Sequence, residues 1–161
     1  MELQSTEQMT FQRREWTVQK IGTVVLVAFV LAGLLGLFGV GPLASTTQSS
    51  PEGLVEIEYD RVTRSNTDDQ ITLTFSPEAV ENGTITFELT GGWLSAVDLQ
   101  GITPEPADQQ AIPNGTAMTL EAETNAEVEV DVSLIAREHL MHDGQVTVNG
   151  DTVSFNQFVL P

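Results

Sequence analysis

Twenty consecutive residues, Ile21 to Val40, carry no charge and a single hydroxyl, that of Thr23. A bilayer core of about 30 Å takes about 20 residues in helical form, and backbone polar groups in lipid must be satisfied within the segment. The run is therefore expected to be a transmembrane helix over residues 21–42, ended by Gly41 and Pro42. Its glycines (Gly22, Gly33, Gly36, Gly39) are common in such spans.

Orientation follows from Arg13, Arg14 and Lys20 before the run, since the first basic residue after it is Arg61. Basic residues beside a span stay cytoplasmic, so residues 1–20 are expected inside the cell membrane and the C-terminal part outside. Trp16 and Phe11 lie where a ring can rest among headgroups. A cleaved signal peptide is the competing reading. Its apolar region is shorter, about 7 to 15 residues, and Pro42 occupies a site where cleavage wants a small residue. Arg13-Arg14 also suggests twin-arginine export, but Glu15-Trp16-Thr17 lacks the apolar continuation. Ala28, Ala32 and Gly36 form a small-residue stripe that permits a homodimer, although small residues are simply frequent in spans.

Charge divides at the same place. Of 23 acids and 6 bases, 3 of each precede Leu43, so 20 acids and 3 bases follow it and the whole net charge of -17 belongs there. So negative a domain opposes nonspecific binding to nucleic acid or anionic lipid. With no cysteine, disulfides, thiolate catalysis and Cys-based metal sites are excluded.

Residues 43–53, with STTQSSPEG over Ser45–Gly53, read as a polar linker. From Leu54 the period becomes two, the mark of half-buried strands. Val55, Ile57 and Tyr59 alternate with Glu56, Glu58 and Asp60. The alternation recurs at Ile71, Leu73, Phe75, at Ile85, Phe87, Leu89, and less regularly over Leu94–Ile102. It returns at Met118 and Leu120, at Val128 to Leu134 with Glu127, Glu129 and Asp131 interleaved, and at Val146, Val148, Val153 and Phe155. Asn149-Gly150 predicts a hairpin over Val146–Val159, because both residues accept positive φ. Seven or eight short strands with dense turns predict a mainly β domain over residues 54–161, an antiparallel immunoglobulin-like sandwich, with a barrel as the alternative. Trp93, Phe75, Phe87 and Phe155 are its expected bulky core. Pro77–Glu81 and Ile135–His142 are the segments able to hold a helical turn.

At FQRREW (Phe11–Trp16), the following span, GPL (Gly41–Leu43), EYDR (Glu58–Arg61), PEP (Pro104–Pro106) and FNQFVLP (Phe155–Pro161), the chain resembles a family of uncharacterised prokaryotic single-pass membrane proteins. The resemblance implies an N-terminal anchor carrying a small external β-domain, and no activity.

Few residues suggest chemistry. His139 and His142, with Glu138 or Asp143, would share one face of a helical turn and offer a metal site, against the plainer reading of a solvated crossover loop. Asp68-Asp69 and the rows Glu56, Glu58, Asp60 and Glu127, Glu129, Asp131 are oxygen donors suited to calcium, but match no calcium-loop spacing. Asn82-Gly83-Thr84 and Asn114-Gly115-Thr116 fit the N-glycosylation pattern and equally well plain turns. No catalytic motif is present, so no catalytic, cofactor or metal residue is assigned and a non-enzyme is expected. Convergent acids of an external hydrolase remain a third possibility, hard to build in a domain this small. The leading expectation is a membrane-anchored extracytoplasmic interaction module, accessory to another membrane protein, contacting it through a sheet edge or the terminal hairpin. A tethered ligand- or divalent-ion-binding domain is the alternative. The acid excess predicts greater stability at molar salt.

Overall fold

The computed structural model describes residues 3–34, 45–123 and 125–161, in two compact units, Met1–Leu43 and Ala44–Pro161. In the first, helix α1 runs over Leu3–Leu34. Its side chains from Val18 to Leu31 are exposed on every side, Val24, Leu26, Phe29 and Val30 among them. Lys20 Nζ lies 3.6 Å from the centre of the Trp16 ring, one turn away. Only Ile21–Leu34 of the apolar run is described, about 21 Å of helix at 1.5 Å per residue. Among the described residues no helix is long and apolar enough to cross a membrane. Leu35–Val40 and the expected stop at Gly41-Pro42 lie outside them.

The second unit is a sandwich of two sheets. Its eleven strands are β1 (Ser45–Ser49), β2 (Val55–Asp60), β3 (Val62–Arg64), β4 (Asp68–Phe75), β5 (Thr84–Thr90), β6 (Val97–Thr103), β7 (Asp108–Ile112), β8 (Gly115–Glu121), β9 (Val128–Ala136), β10 (Leu140–Val148) and β11 (Asp151–Leu160). One sheet has the order β1-β2-β4-β9-β6 and the other β3-β11-β10-β5-β8-β7. Pairing is antiparallel except between β11 and β3, which run parallel. A single 3-10 turn, Pro77–Ala79, and a one-turn helix α2, Trp93–Ala96, complete the unit.

The expected period-two segments form strands, with apolar residues inward, except that in Leu94–Ile102 the first three residues belong to helix α2 and the strand begins at Val97. Asn149 and Gly150 close the β10–β11 hairpin at φ 50° and 87°. Three strands exceed the expected seven or eight. β1 occupies the segment expected to be a linker, paired to β2 from Ser45↔Asp60 to Ser49↔Glu56. β3 and β7 are the others, and all three sit at sheet edges. An edge strand is specified by a neighbour's free N–H and C=O groups, so STTQS, VTR and DQQAI need no apolar alternation. Ile135–His142 holds no helical turn: β9 runs to Ala136 and β10 begins at Leu140.

The core lies between the sheets. Trp93, Phe75, Phe87 and Phe155 are its largest fully buried side chains. Phe75 meets Phe87 from the opposite sheet at 5.0 Å, and Phe155 meets both Tyr59 and Trp93 at 5.3 and 5.2 Å. Burial of each such side chain stabilises the fold by about 1.5 to 3 kcal/mol.

Candidate interaction surface

The outer face of the five-stranded sheet is striped. β2 contributes Glu56, Glu58 and Asp60, and β9 contributes Glu129 and Asp131. Between them, β4 places Thr72 opposite both Glu58 and Asp131, and Thr74 opposite both Glu56 and Glu129. On the far side of β2, β1 sets Ser45, Thr47 and Ser49 against Asp60, Glu58 and Glu56. Thus rows of acids alternate with rows of hydroxyls, and no two acids face each other across a strand pair. The hydroxyls donate to the acids, Thr72 Oγ1 to Asp131 and Ser49 Oγ to Glu56, both at 2.9 Å. Neighbouring strands lie about 4.8 Å apart, so the acid rows stand about 10 Å from each other.

A groove of about 500 Å³ at one end of this face is lined by Glu58, Asp60, Asp68, Asp69, Thr72 and Ser45, with Gln100 and Ser133. Burial, and then the charges of Asp69 and Glu58, hold the Asp60 carboxyl above its ordinary range. Asp68 and Asp69 do not act as a pair. Asp68 is exposed, whereas Asp69 is half-buried and accepts from Gln157 Nε2 at 2.7 Å. Gln157, fully buried on β11, also donates to the Asp60 carbonyl at 3.0 Å and accepts from the Trp93 indole N–H at 2.9 Å. This link between the sheets was not legible in the sequence, where FNQF offers one polar residue among many.

The histidine segment does not gather as a metal site. His139 is exposed in the connection before β10, and His142 stands within β10 opposite Gln157. In extended chain, residues three apart do not share a face as they would in a helix. His142 Nε2 is buried without a hydrogen-bond partner. Among the described residues no group of three or more His, Asp or Glu side chains is arranged to hold a metal ion. Glu127 lies outside β9, so the second acid row is shorter than its sequence suggests.

Asn82 and Asn114 are exposed at turns with φ 54° and 61°. Thr84 and Thr116 of the two tripeptides bond backbone carbonyls, those of Glu81 and Gln110.

A second surface lies along the open side of the sandwich, where β6 ends one sheet and β7 the other. Two adjoining hollows, of about 540 and 740 Å³, share Leu99 and Gln109. Leu94, Leu99 and Ile102 form their partly buried apolar floor. A bulge between Leu99 and Gly101 bends β6. β7 is exposed from Asp108 to Ala111, and among the described residues its pairing is to β8 alone. Its outer backbone edge is therefore available to another strand. The terminal hairpin, by contrast, lies within its sheet, flanked by β3 and β5.

No protein family matches the sequence, and no curated protein matches it. Among solved structures, the chain is similar to a cohesin module from a family 33 glycoside hydrolase of Clostridium perfringens, with 14 % identity, a TM-score of 0.44 and coverage of 71 % of this chain and 98 % of that one. It is similar to domains 4 and 5 of the S-layer protein SbsC at 6 % identity and TM-score 0.42, covering 76 % of this chain and 55 % of that one. For the third cohesin ScaC of Acetivibrio cellulolyticus, solved with the ScaB dockerin, the figures are 12 % identity, TM-score 0.42 and coverage of 62 % and 94 %.

Proposed function

We propose that the chain is a membrane-anchored extracytoplasmic interaction module without catalytic activity, whose sandwich presents the β6/β7 side to another membrane protein. The observation that carries the reading is that open side, with an exposed, unpaired β7 edge beside an apolar floor. Such an edge accepts a strand from a partner, with main-chain hydrogen bonds supplying affinity and the floor taking alternate side chains. The anchor rests on the full sequence run Ile21–Val40 and on α1, whose apolar side chains are exposed all round. A helix apolar on all sides needs apolar surroundings. The stacked Trp16–Lys20 pair stands at the foot of the run, where aromatic and basic side chains favour headgroups.

A photo-crosslinking residue at Gln109 in the full-length chain, expressed in its native membranes, tests this. One discrete heavier product is expected from Gln109, and none from a control at Glu56 on the acid face. Recovery of monomer alone from Gln109 would refute the proposed contact. Protease added to intact cells should remove the sandwich and leave the anchor, and full protection of the sandwich would refute the orientation.

The acidic groove supports a second reading, a site for a cationic organic ligand beside Glu58, Asp60 and Asp68, whose carboxylates are not grouped as metal ligands. Calorimetric titration with an organic polyamine separates the two, since binding is expected only under this second reading.

A further inference from the structure

Three large apolar side chains of the sandwich stand out as exposed: Leu140 at 70 %, Met141 at 67 % and Phe158 at 37 %. Met141 and Phe158 are directly opposed across the β10–β11 ladder on its outer face, where Val62 of β3 flanks Phe158, while Leu140, opposite the buried Val159, lies at the same end of the ladder on its other face. The domain's three basic residues gather at the same end of the sandwich, although Arg137 is 76 and 73 positions from Arg61 and Arg64. Arg61 and Arg64 bracket β3, the partner of Phe158–Leu160. Arg137 donates to Asp98 Oδ2 at 2.7 Å and to Asn66 Oδ1 at 3.0 Å, while the Asn66 N–H bonds the Ala136 carbonyl. Arg61 and Arg64 are exposed, and among the described residues neither has an ion-pair partner.

The domain also begins at this end. Ser45 pairs with Asp60, and Arg61 Nη2 donates to Thr46 Oγ1 at 2.8 Å. Five peptide steps separate Val40, the last residue of the apolar run, from Ser45. They span about 18 Å when fully extended. Leu140 itself has φ 93°, a conformation rare for a branched L-residue. Such strain, holding a large apolar side chain out in solvent, is a mark of functional positions.

From these placements we infer that the Ser45 end of the sandwich seats on the outer surface of the lipid bilayer, with Leu140, Met141 and Phe158 entering the headgroup boundary and Arg61 and Arg64 meeting lipid phosphate. The inference rests on the proposed anchor. Arginines carry apolar stems that lie along such a boundary while their heads stay hydrated. The domain's overall negative charge disfavours an anionic surface, so zwitterionic lipid is the matched partner. Asp68, Glu138 and Asp143 are exposed acids near this end, Glu58, Asp60 and Asp69 line the acidic groove that opens there, and Asp98 is offset by its bond to Arg137. Seating would restrict the domain's tumbling and hold the β6/β7 side at a constant height for a neighbouring membrane protein.

The chain has no cysteine, so single labels can be placed at will. The full-length protein would be reconstituted at one copy per phosphatidylcholine nanodisc, with an environment-sensitive dye at Met141→Cys, at Glu123→Cys near the far end, or at Ala28→Cys in the anchor. Lipids carrying a quencher at headgroup depth should cut emission about twofold at position 141, as for a side chain about 5 to 10 Å into the interface, and leave position 123 unchanged. Adding Arg61→Ser and Arg64→Ser, or Leu140→Gly, should restore most of the emission at 141. Leu140→Gly suits φ 93° and so keeps the fold intact. An unquenched 141 with a 28 quenched by deep-lipid labels would overturn the seating while leaving the anchor in place. An unquenched 28 would overturn the anchor, and the seating with it. Quenching at 141 only in discs holding two copies would assign the patch to a second chain and likewise overturn the proposal.

Discussion

Replacing Gln157 by leucine removes at once the acceptor of the Trp93 indole N–H at 2.9 Å and the donor to the Asp60 carbonyl and to Asp69, at 3.0 and 2.7 Å. Leucine fits the volume, so cavity formation contributes little, and the loss isolates the polar term. Trp93 is 2 % exposed, which leaves its orphaned N–H no water. A buried donor in that state costs about 1 to 3 kcal/mol. Asp69 is half-buried and regains solvent, so it adds less, and the total is expected near 2 to 4 kcal/mol. For the 117 residues from Ser45 to Pro161 this lowers Tm by about 10 °C. Thermal unfolding followed by scanning calorimetry reads it directly. Gln157→Glu sharpens the test. Its carboxyl would lie beside that of Asp69, so its folded-state pKa would be raised above the unfolded value. The variant is then relatively most stable at low pH and loses ground as pH rises through the folded pKa. A Gln157→Leu protein within about 0.5 kcal/mol of wild type, or a Gln157→Glu deficit independent of pH, would refute the assignment of Gln157 as the polar tie between the sheets.

Other outcomes follow from the same structure. Burial works to raise the Asp151 carboxyl, but hydrogen bonds from Ser50 and from the N–H groups of Glu52, Leu54 and Thr152 outweigh it and hold its pKa below the ordinary value. A depressed carboxylate stabilises above its unfolded pKa of about 3.9 and loses that contribution as pH falls through the folded pKa. Asp151→Asn should therefore lower Tm at neutral pH, and its curve of Tm against pH should converge with wild type in acid; parallel curves would contradict this. At Gly144 any Cβ overlaps the Phe155 ring, itself wedged between Tyr59 and Trp93. Gly144→Ala should cost about 1 to 3 kcal/mol in a denaturant titration, as overpacking does, and full stability would mean the ring is free to shift. Salt should raise Tm, but the acid rows stand about 10 Å apart, near the screening length at 0.1 M. Most of the gain is thus expected below about 0.3 M, and a gain confined to molar salt would favour the stronger demand that composition alone suggests.

Much of the domain was legible because alternation is a local signal. Val55-Ile57-Tyr59, Ile71-Leu73-Phe75 and Val130-Val132-Leu134 alternate with polar residues, which assigns both a strand and its buried face. Asn149-Gly150 placed the last hairpin, because few residue pairs accept two positive φ angles. The four bulky core aromatics followed from size and apolarity, and Tyr59, at 3 % exposed, is buried beside them. The candidate surfaces were less legible. β7 carries an open edge that is a property of its backbone, and DQQAI shows no apolar alternation to announce it.

By itself, then, the sequence determined the apolar run, the acidic charge confined to residues after Leu43, and the inward and outward faces of each alternating strand. These depend on neighbours a few residues away. Only tertiary structure decided that STTQS is a strand, that rows of threonine and serine separate the carboxylates, that Gln157 joins Trp93 to Asp69, and that Arg61, Arg64 and Arg137 lie at the end of the sandwich where β10 begins and β11 ends. Strand pairing is made by backbone groups common to all residues but proline, so side-chain pattern does not encode which strands pair. Register, set by the whole sandwich closing at once, brings residues many positions apart to one end.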